Sequence, residues 1–278
     1  MTTTTAPRFR FGENWQSFIA GITEPQIAAS ERDLHKLFPN GELVGATFLD
    51  VGCGSGLSML AAMRLGAARV HGIDIDAESV CAAETLLAQY APAGGWHVDQ
   101  RSLFDFHDDS FDIVHSWGVV PFTGGMWAAL DHLCSLVRPT RALAIALYRR
   151  TPMCRLWRLE KRIYSQASPR TQRIMRLIYE AAFLGAKAAT GQNPFAYVRN
   201  FYTHRGMRWS NNVHDWLGGY PYESAKPEEL AAFFDRSGFI VQCAFTKPVA
   251  AKGLFGSHCD EYVLRRAGSQ ALAAATSK

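Results

Sequence analysis

Residues 47–56 read TFLDVGCGSG, and this stretch decides the fold. Its first half is a short apolar run that ends in a cluster of glycines, which is the pattern of a buried strand in a parallel sheet. Gly52, Gly54 and Gly56 allow a tight turn, and they let the backbone approach a ligand with no Cβ atom in the way. Helical spacing follows at once, over 57–65. A ligand is therefore expected outside the carboxyl end of this strand.

Strands and helices alternate along most of the chain. Helices are predicted over 57–65, 77–90, 126–137 and 227–237. Strands are predicted over 47–51, 69–74, 96–100, 111–117, 143–148, 239–245 and 261–264. Such alternation places parallel strands in one sheet with helices on both of its faces. The predicted fold class is α/β, with a doubly wound, mostly parallel sheet of seven strands.

The segment after Tyr148 departs from this alternation. Leu156, Leu159 and Ile163 recur at helical spacing, and the aliphatic residues of 174–181 do the same. We interpret this segment as a helical insertion, because no strand pattern returns before residue 239. The chain is thus divided into an N-terminal lid (1–40), a core domain (41–148 and 216–266), an inserted helical cap (149–215) and a flexible tail (267–278).

The composition is that of a globular protein with a sizeable core. Hydrophobic residues make up 48% of the 278 residues, and charged residues make up 19%. The longest strictly apolar run spans only 142–148, whereas a membrane-spanning helix needs about 20 residues. The Thr-rich start of the chain lacks the apolar segment of a secretory signal. The sequence therefore predicts a cytoplasmic protein with no membrane partner.

Cysteine spacing and net charge exclude further classes. The six cysteines form no Cys-x-x-Cys motif, and a chain of this length needs no disulfide. Reduced thiols are their simplest state. Lys and Arg number 29 against 25 Asp and Glu, and this balance is too weak to indicate nucleic-acid binding. No spacing of His, Asp and Glu indicates a metal site, so no metal is predicted.

Asp74 is the second element of the predicted site. It ends the second predicted strand, and a carboxylate at this place can accept both hydroxyls of a ribose. Asp74 could instead cap the following helix, but Asp76 is available for that role.

Two other glycine-rich motifs are excluded. A dinucleotide fingerprint needs glycine at position 57, where Leu57 stands. A phosphate loop needs Gly-Lys-Ser or Gly-Lys-Thr, and neither follows the glycines. A glycine-rich turn with no ligand is the remaining alternative.

Three stretches carry a family resemblance. LDVGCGSG (49–56) and GIDID (72–76) resemble the class I S-adenosylmethionine-dependent methyltransferases, and FDIVHSWGVV (111–120) is similar to their fourth strand. The resemblance spans about 40–150 and 225–265. It implies a Rossmann-like sheet and S-adenosylmethionine as the cofactor. It implies that the methionine pocket is formed by Asp50, Gly52, Gly54 and Gly56. It further implies that Asp74 and Ile75 bind the ribose and that Ser102 and Leu103 bind the adenine ring.

A narrower resemblance points to a bacterial subgroup of these enzymes. It rests on FGENW (11–15), HSWGV (115–119), FTGGMWAALD (122–131), RGMRW (205–209) and DWLGGYPYESAKPEE (215–229). This subgroup supports the inserted cap but no particular substrate.

This chain departs from the subgroup at two places. Members have His-His-Thr-Gly where this chain has Pro121-Phe122-Thr123-Gly124, so an apolar pair replaces two proton-accepting side chains. Before the last strand, members have Gly-Cys-Asn-Glu, whereas residues 257–261 read SHCDE.

Aromatic and imidazole side chains supply the remaining candidates. Aromatic faces suit the cationic sulfonium of the cofactor, which indicates Trp15 and Trp117 as further cofactor-binding residues. The predicted substrate pocket contains Phe122, Trp209 and Asn212. A neutral imidazole can remove a proton near pH 7. His115 and His204 are therefore catalytic candidates, with His214 and His258 as further bases. Tyr202 is a third catalytic candidate.

Four functions remain open at this point. The favoured one is methyl transfer to a small molecule, in specialised metabolism. The exchange at Pro121 and Phe122 also fits a cyclase, in which the cofactor's own amine attacks its γ carbon to give azetidine-2-carboxylate and methylthioadenosine. A non-enzymatic cofactor-binding protein is the third. An RNA methyltransferase is the fourth, but the eleven basic residues of 138–176 fit solvated faces of amphipathic helices better.

Overall fold

The structure is a computed structural model, and it describes residues 11–107, 110–201, 208–246, 250–256 and 259–268. Its strands are β1 (Thr47–Val51), β2 (Arg69–Asp74), β3 (Trp96–Gln100), β4 (Phe111–Trp117), β5 (Val137–Tyr148), β6 (Phe239–Phe245) and β7 (Cys259–Arg266).

These seven strands form one sheet in the order β3-β2-β1-β4-β5-β7-β6. Strands β1 to β5 run parallel, and β7 runs antiparallel between β5 and β6. The chain winds outward from β1 in one direction and from β4 in the other. This reversal opens a crevice at the carboxyl ends of β1 and β4. The predicted doubly wound α/β fold is confirmed.

Helices cover both faces of the sheet and also form a cap. They are α1 (Phe11–Ile19), α2 (Glu24–Leu37), α3 (Leu57–Arg64), α4 (Ala77–Tyr90), α5 (Met126–Ser135), α6 (Cys154–Gln166), α7 (Pro169–Ala189), α8 (Pro194–Arg199), α9 (Trp209–Gly218) and α10 (Pro227–Arg236). Helices α2, α3 and α4 bury one face of the sheet, and α5 and α10 bury the other. Within the described ranges, no helix is both long enough and apolar enough to cross a bilayer.

The fifth strand begins earlier than its apolar run. Helix α5 ends at Ser135, and β5 starts at Val137, which the sequence had placed in the helix. Val137 pairs with Phe111 of β4. The polar residues that follow are also held to β4, since Arg138 forms an ion pair of 3.2 Å with Asp112. The next register partners are Ile113 and Ala142, so residues 138–141 form a bulge between the two paired parts of β5.

Helices α6 to α9 pack on one another as a cap. Their common core is aromatic and includes Trp157, Tyr164, Phe201 and Trp209, together with Tyr222 from the segment after α9. The aliphatic residues that marked the helices in the sequence lie elsewhere. Leu156, Leu159 and Ile163 are on the exposed side of α6, while the inward side carries larger rings.

Candidate functional site

A cavity of about 1500 Å³ lies at the carboxyl ends of the parallel strands. The sheet edge forms its floor, α1 covers one side and the cap covers another. Lining residues from these three walls include Asp50, Asp74, Trp117, Phe11, Trp15, Phe183 and Trp209. The cavity therefore lies at the crevice that the strand order creates.

The glycine loop after β1 lies against the cavity. Gly54 has a φ of +53°, in the left-handed region that favours glycine. A Cβ atom on Gly54 would lie 2.9 Å from Nε1 of Trp15, so the indole ring of the lid rests directly on the loop. A Cβ on Gly56 would instead lie 2.9 Å from Cα of Ala83. Gly56 thus allows α3 and α4 to pack closely, and it is not among the lining residues.

Asp74 joins the glycine loop to the start of α4. Its Oδ2 accepts a hydrogen bond from the N–H of Gly54 at 3.1 Å, and its Oδ1 accepts one from the N–H of Asp76 at 3.0 Å. Burial raises the pKa of Asp74 to about 6, although these two hydrogen bonds act in the opposite direction. The carboxylate lines the cavity, with lone pairs left to accept further hydrogen bonds.

Asp50 and His115 form a buried polar pair in the floor. They are register partners on β1 and β4, and Nδ1 of His115 lies 2.7 Å from Oδ1 of Asp50. The imidazole is stacked on Trp117, with ring centroids 5.3 Å apart, and on Phe48 at 5.6 Å. The ring is fixed on both faces and at one nitrogen, so it holds the Asp50 carboxylate in a single orientation.

The lid helix α1 is anchored at two places. Oδ1 of Asp76 caps α4 by accepting from the N–H of Glu78, as the sequence predicted, while its Oδ2 accepts from the N–H of Gly12 at 2.9 Å. At the other side of the lid, the amides of Asn14 and Asn211 are hydrogen-bonded to each other. The first anchor joins the lid to the core domain, and the second joins it to the cap.

Phe122 belongs to an aromatic wall of the cavity. Its ring lies 5.5 Å from that of Phe11 and 5.7 Å from that of Tyr148, and Tyr148 in turn contacts Trp216 at 5.4 Å. A Cβ on Gly219 would lie 2.5 Å from Cε1 of Phe122, so the ring also packs closely against the residue that follows α9. Phe122 is half-buried and has contacts in both the lid and the cap.

Most residues predicted from the sequence meet at this cavity. The lining includes Trp15, Asp50, Gly52, Gly54, Asp74, Ile75, Ser102, Leu103, His115, Trp117, Phe122, Trp209 and Asn212. Two of the catalytic candidates, Tyr202 and His204, lie outside the described residues, and so does His258. The roles assigned to all these side chains stay predictions.

His214 has surroundings that do not suit a base. Its Nδ1 lies 2.6 Å from the hydroxyl of Tyr164 and accepts from the guanidinium of Arg176 at 2.8 Å. Burial and the positive charge of Arg176 lower the pKa of His214 to about 4. The ring is not among the residues that line the cavity, and it joins α6, α7 and α9.

A buried lysine lies behind the aromatic wall. The Lys161 ammonium lies 3.6 Å from the ring centroid of Trp216, 5.2 Å from that of Tyr222, and donates to the carbonyl of Trp216. Burial lowers the pKa of Lys161 and raises that of the adjacent Glu160. These contacts fix the indole of Trp216 where it lines the cavity.

A second polar cluster lies on the sheet away from the cavity. His71 and His97 are register partners on β2 and β3, and each Nε2 lies 2.9 Å from a different carboxylate oxygen of Asp99. These are metal-ligand side chains that strand register has brought together, which their spacing in sequence did not show. Each oxygen of Asp99 has one imidazole partner, so hydrogen bonding accounts for the arrangement.

Several lining residues were not identified from the sequence. They include Tyr148, Phe183, Asp215, Trp216 and Glu261. Tyr148 is the last residue of β5, and the rule that ligands lie at carboxyl strand ends could have found it. Phe183 follows Tyr179 by one helical turn on the inner side of α7. Glu261 comes from the antiparallel β7, for which no such rule exists.

Comparison with known proteins gives partial matches in sequence. Residues 48–140 match the family model described as "Methyltransferase domain". The ribosomal protein L11 methyltransferase of Photobacterium profundum is 35% identical over 106 residues, which is 38% of this chain and 34% of that protein. The chain therefore aligns with about a third of this curated relative.

Solved structures match over most of the chain. A magnesium protoporphyrin IX methyltransferase from Synechocystis PCC 6803, with bound S-adenosylhomocysteine, aligns with 92% of this chain and 93% of its own, at a TM-score of 0.56 and 16% identity. An S-adenosylmethionine-dependent methyltransferase from Mesorhizobium loti aligns with 86% and 98%, at a TM-score of 0.51 and 16% identity. Residues 48–140 are thus similar to a methyltransferase domain, and the chain shares the α/β fold of these solved methyltransferases.

Proposed function

We propose that this chain is an S-adenosylmethionine-dependent methyltransferase that acts on a small molecule. The observation that carries the proposal is the position of Asp74 and the glycine loop at the rim of a deep cavity, in a matched methyltransferase domain. Solved proteins of the same fold hold S-adenosylmethionine or its product. A cytoplasmic location and a role in specialised metabolism stay predictions from the sequence.

The residues present fit this cofactor. The Asp74 carboxylate, fixed by two backbone N–H groups, is suited to accept the ribose hydroxyls. Ser102 and Leu103, after β3, line the adjacent part of the cavity, where the adenine would lie. Asp50 offers a second carboxylate near the glycine loop for the cationic end of the methionine chain.

When bound, S-adenosylmethionine supplies an electrophilic methyl group on a sulfonium. The contribution of the chain is to hold the acceptor in line with that methyl at about 3–3.5 Å and to exclude water. Trp15 and Trp117 present aromatic surface toward the cavity, which is compatible with a nearby cation. His115 has one nitrogen engaged by Asp50, so we assign it a positioning role toward that carboxylate.

The shape of the cavity favours a small acceptor. Its walls include the lid and the cap as well as the sheet edge, so an acceptor must fit beneath them. The aromatic wall around Phe122 and Tyr148 favours an acceptor with a flat or apolar part.

Internal ion pairs weaken the RNA alternative. Much of the basic stretch is engaged within the chain: Arg149 forms a bidentate pair with Asp260, and Arg150 pairs with Glu229. The named activity of the matched relatives on a ribosomal protein belongs to chains that align over 106 residues or fewer.

Calorimetry and an assay of methyl transfer test the proposal. The full chain is expected to bind S-adenosylmethionine, and Asp74→Ala should weaken binding by about ten- to a hundredfold, since charge-assisted hydrogen bonds are lost. Labelled methyl should appear on a member of a small-molecule acceptor library and not on ribosomal protein or RNA. Absence of cofactor binding by the folded chain would refute the proposal, and transfer to a macromolecule would refute its acceptor class.

A cyclase is the second candidate, and the Phe122 wall favours it. Where subgroup members carry two histidines, this chain places an aromatic ring between Phe11 and Tyr148, which leaves an apolar chamber. In this reaction the amine nitrogen bonds to the γ carbon, the bond from that carbon to sulfur breaks, methylthioadenosine leaves with the electron pair, and the amine releases a proton to solvent. Incubation with S-adenosylmethionine alone decides between the two, because only the cyclase yields azetidine-2-carboxylate together with methylthioadenosine without an acceptor.

A further inference from the structure

The outer surface of the cap is apolar to an unusual degree for a surface in contact with water. Six large aliphatic side chains on α6 and α7 are between 52% and 64% exposed: Leu156, Leu159, Ile163, Ile174, Leu177 and Ile178. Phe195 in α8 is 85% exposed. Single exposed aliphatic residues are common, but a contiguous apolar patch marks an interaction surface. We call the aliphatic residues of α6 and α7 the outer cap face.

Helix geometry places these residues on one side of the cap. In α6, residues 154, 157, 161 and 164 turn inward, and 156, 159 and 163 form a stripe at the opposite side. In α7, Tyr179 and Phe183 face the cavity, while residues 174, 177, 178 and 181 are exposed and form a stripe on the outer side of the helix. Both helices turn their inner sides to the same aromatic cluster, so both stripes lie on the outer surface of the cap.

Exposed arginines flank the two stripes. Arg155 and Arg162 lie beside the aliphatic stripe of α6, and Arg170 and Arg173 precede that of α7; all four are exposed. None of them forms an ion pair with a residue that the structure describes. The acidic residues of these helices, Glu160 and Glu180, are half-buried. The outer cap face is therefore apolar in its centre and cationic at its margin.

We propose that the outer cap face binds peripherally to an anionic lipid membrane. Helices with an aliphatic stripe between basic residues lie in the plane of a bilayer interface, with the stripe among the acyl chains and the arginines at anionic headgroups. The charge pattern disfavours a second copy of the chain on this face, because the unpaired arginines of the two copies would repel one another.

Membrane binding would bring the cavity close to the bilayer. Tyr179 and Phe183 line the cavity from the inner side of α7, and Leu177 and Ile178 are on its outer side. Only helix α7, about 10 Å in diameter with its side chains, would thus separate the cavity from the bilayer. An acceptor that partitions into lipid would be concentrated at the wall of the site.

Vesicle sedimentation of the full chain tests the proposal. The probes are vesicles of phosphatidylcholine with 30% phosphatidylglycerol, and vesicles of phosphatidylcholine alone. The wild-type chain should bind the anionic vesicles at least tenfold more tightly, and 0.5 M salt should reduce binding strongly. The double variant Leu177→Gln/Ile178→Gln should lose at least tenfold in affinity, and Arg170→Gln/Arg173→Gln should lose mainly the preference for anionic lipid.

Ile240→Gln is the matched control for the apolar stripe. Ile240 is 62% exposed, as Ile178 is 64% exposed, but it lies near the start of the edge strand β6, outside the cap helices. This variant should bind vesicles like the wild type, and far-ultraviolet circular dichroism checks that all variants are folded. Equal binding to both kinds of vesicle, or equal losses in the stripe and control variants, would overturn the proposal. A dimer in light scattering that Leu177→Gln/Ile178→Gln dissociates would overturn it as well and would assign the face to a second copy.

Discussion

The side chains of Asn14 and Asn211 are hydrogen-bonded to each other across the boundary between lid and cap. Nδ2 of Asn211 donates to Oδ1 of Asn14 at 2.7 Å, and Nδ2 of Asn14 donates to the carbonyl oxygen of Asn211 at 3.1 Å. Both residues are buried. The amides therefore join α1 to α9 where water cannot replace the lost hydrogen bonds.

Breaking this pair should loosen the lid. In Asn14→Ala, the amide of Asn211 stays buried without its side-chain partner, which should lower the free energy of unfolding by about 1–3 kcal/mol. The affinity for S-adenosylmethionine should fall as well, because α1 also carries Trp15 over the glycine loop. Thermal melting and calorimetry measure the two effects.

The double variant Asn14→Ala/Asn211→Ala is the control for this prediction. If the two amides act as one unit, the loss in the double variant is smaller than the sum of the two single losses. Strictly additive losses would mean that each amide contributes separately and that the lid and cap are not joined through this pair.

The second prediction concerns the pH dependence of cofactor binding. Burial raises the pKa of Asp74 from its usual value of 3.8 to about 6. In the free protein, the stability contributed by this group is present below pH 4 and is lost as the pH rises through 6. Ribose hydroxyls donate to the ionised carboxylate, so cofactor affinity should fall as the pH is lowered below about 6.

Calorimetry between pH 5 and 8 on the wild type and Asp74→Asn measures this effect. Asp74→Asn binds more weakly throughout, and its affinity should lack the step near pH 6. The comparison cancels any titration of the cofactor itself. A step of equal size in both proteins would assign the titration to another group.

The third prediction concerns Gly54. In Gly54→Ala, the new Cβ meets Nε1 of Trp15 at 2.9 Å, and the residue must also keep a φ of +53°. Holding an alanine in this left-handed backbone conformation should by itself cost about 1–2 kcal/mol of stability. Displacement of Trp15 should add a loss of cofactor affinity of at least tenfold.

Gly94→Ala separates the cost of the left-handed backbone conformation from the effect of displacing Trp15. Gly94 has a φ of +77°, and a Cβ there would meet nothing within 4 Å. This variant should lose similar stability and keep its cofactor affinity. Equal affinities in the two variants would show that the glycine loop and Trp15 do not form the binding site.

Local patterns predicted the sheet because each strand is marked by its own residues. The run before Gly52 is apolar and short, the run that ends in Asp74 carries buried Val70 and Ile73, and glycines or helix caps bound both. The start of β5 was missed because it depends on Val137 pairing with Phe111, a partner 26 residues away. Periodicity also identified α6, but it could not tell the inward face from the outward one.

The site residues that the sequence predicted are mainly those at the carboxyl ends of strands and those in the family motifs. Asp50 and His115 could have been paired from the sequence, since both lie in parallel strands that the fold class makes neighbours. The partner of Asn14 could not, because Asn211 lies in α9 of the cap, 197 residues along the chain. Contacts between segments distant in sequence have no local signal.

The last prediction concerns the aromatic wall. Phe122 is half-buried, its ring contacts Phe11 and Tyr148, and it lines the cavity. Phe122→Ala should therefore cost less than the 3–5 kcal/mol that is typical of a fully buried phenylalanine. Turnover per folded molecule should fall at least tenfold, because water enters beside the sulfonium and the lid loses its contact with the wall.

Phe234→Ala supplies the matched control. Phe234 is on the buried face of α10 and is 1% exposed, and it is not among the lining residues. Its truncation should cost the full 3–5 kcal/mol and leave turnover per folded molecule unchanged. The melting temperature and the turnover of the folded fraction are measured for both variants. A large stability loss with normal turnover in Phe122→Ala would place Phe122 with Phe234 as a core residue. The exchange of two histidines for Pro121 and Phe122 would then have no bearing on the chemistry of the cavity.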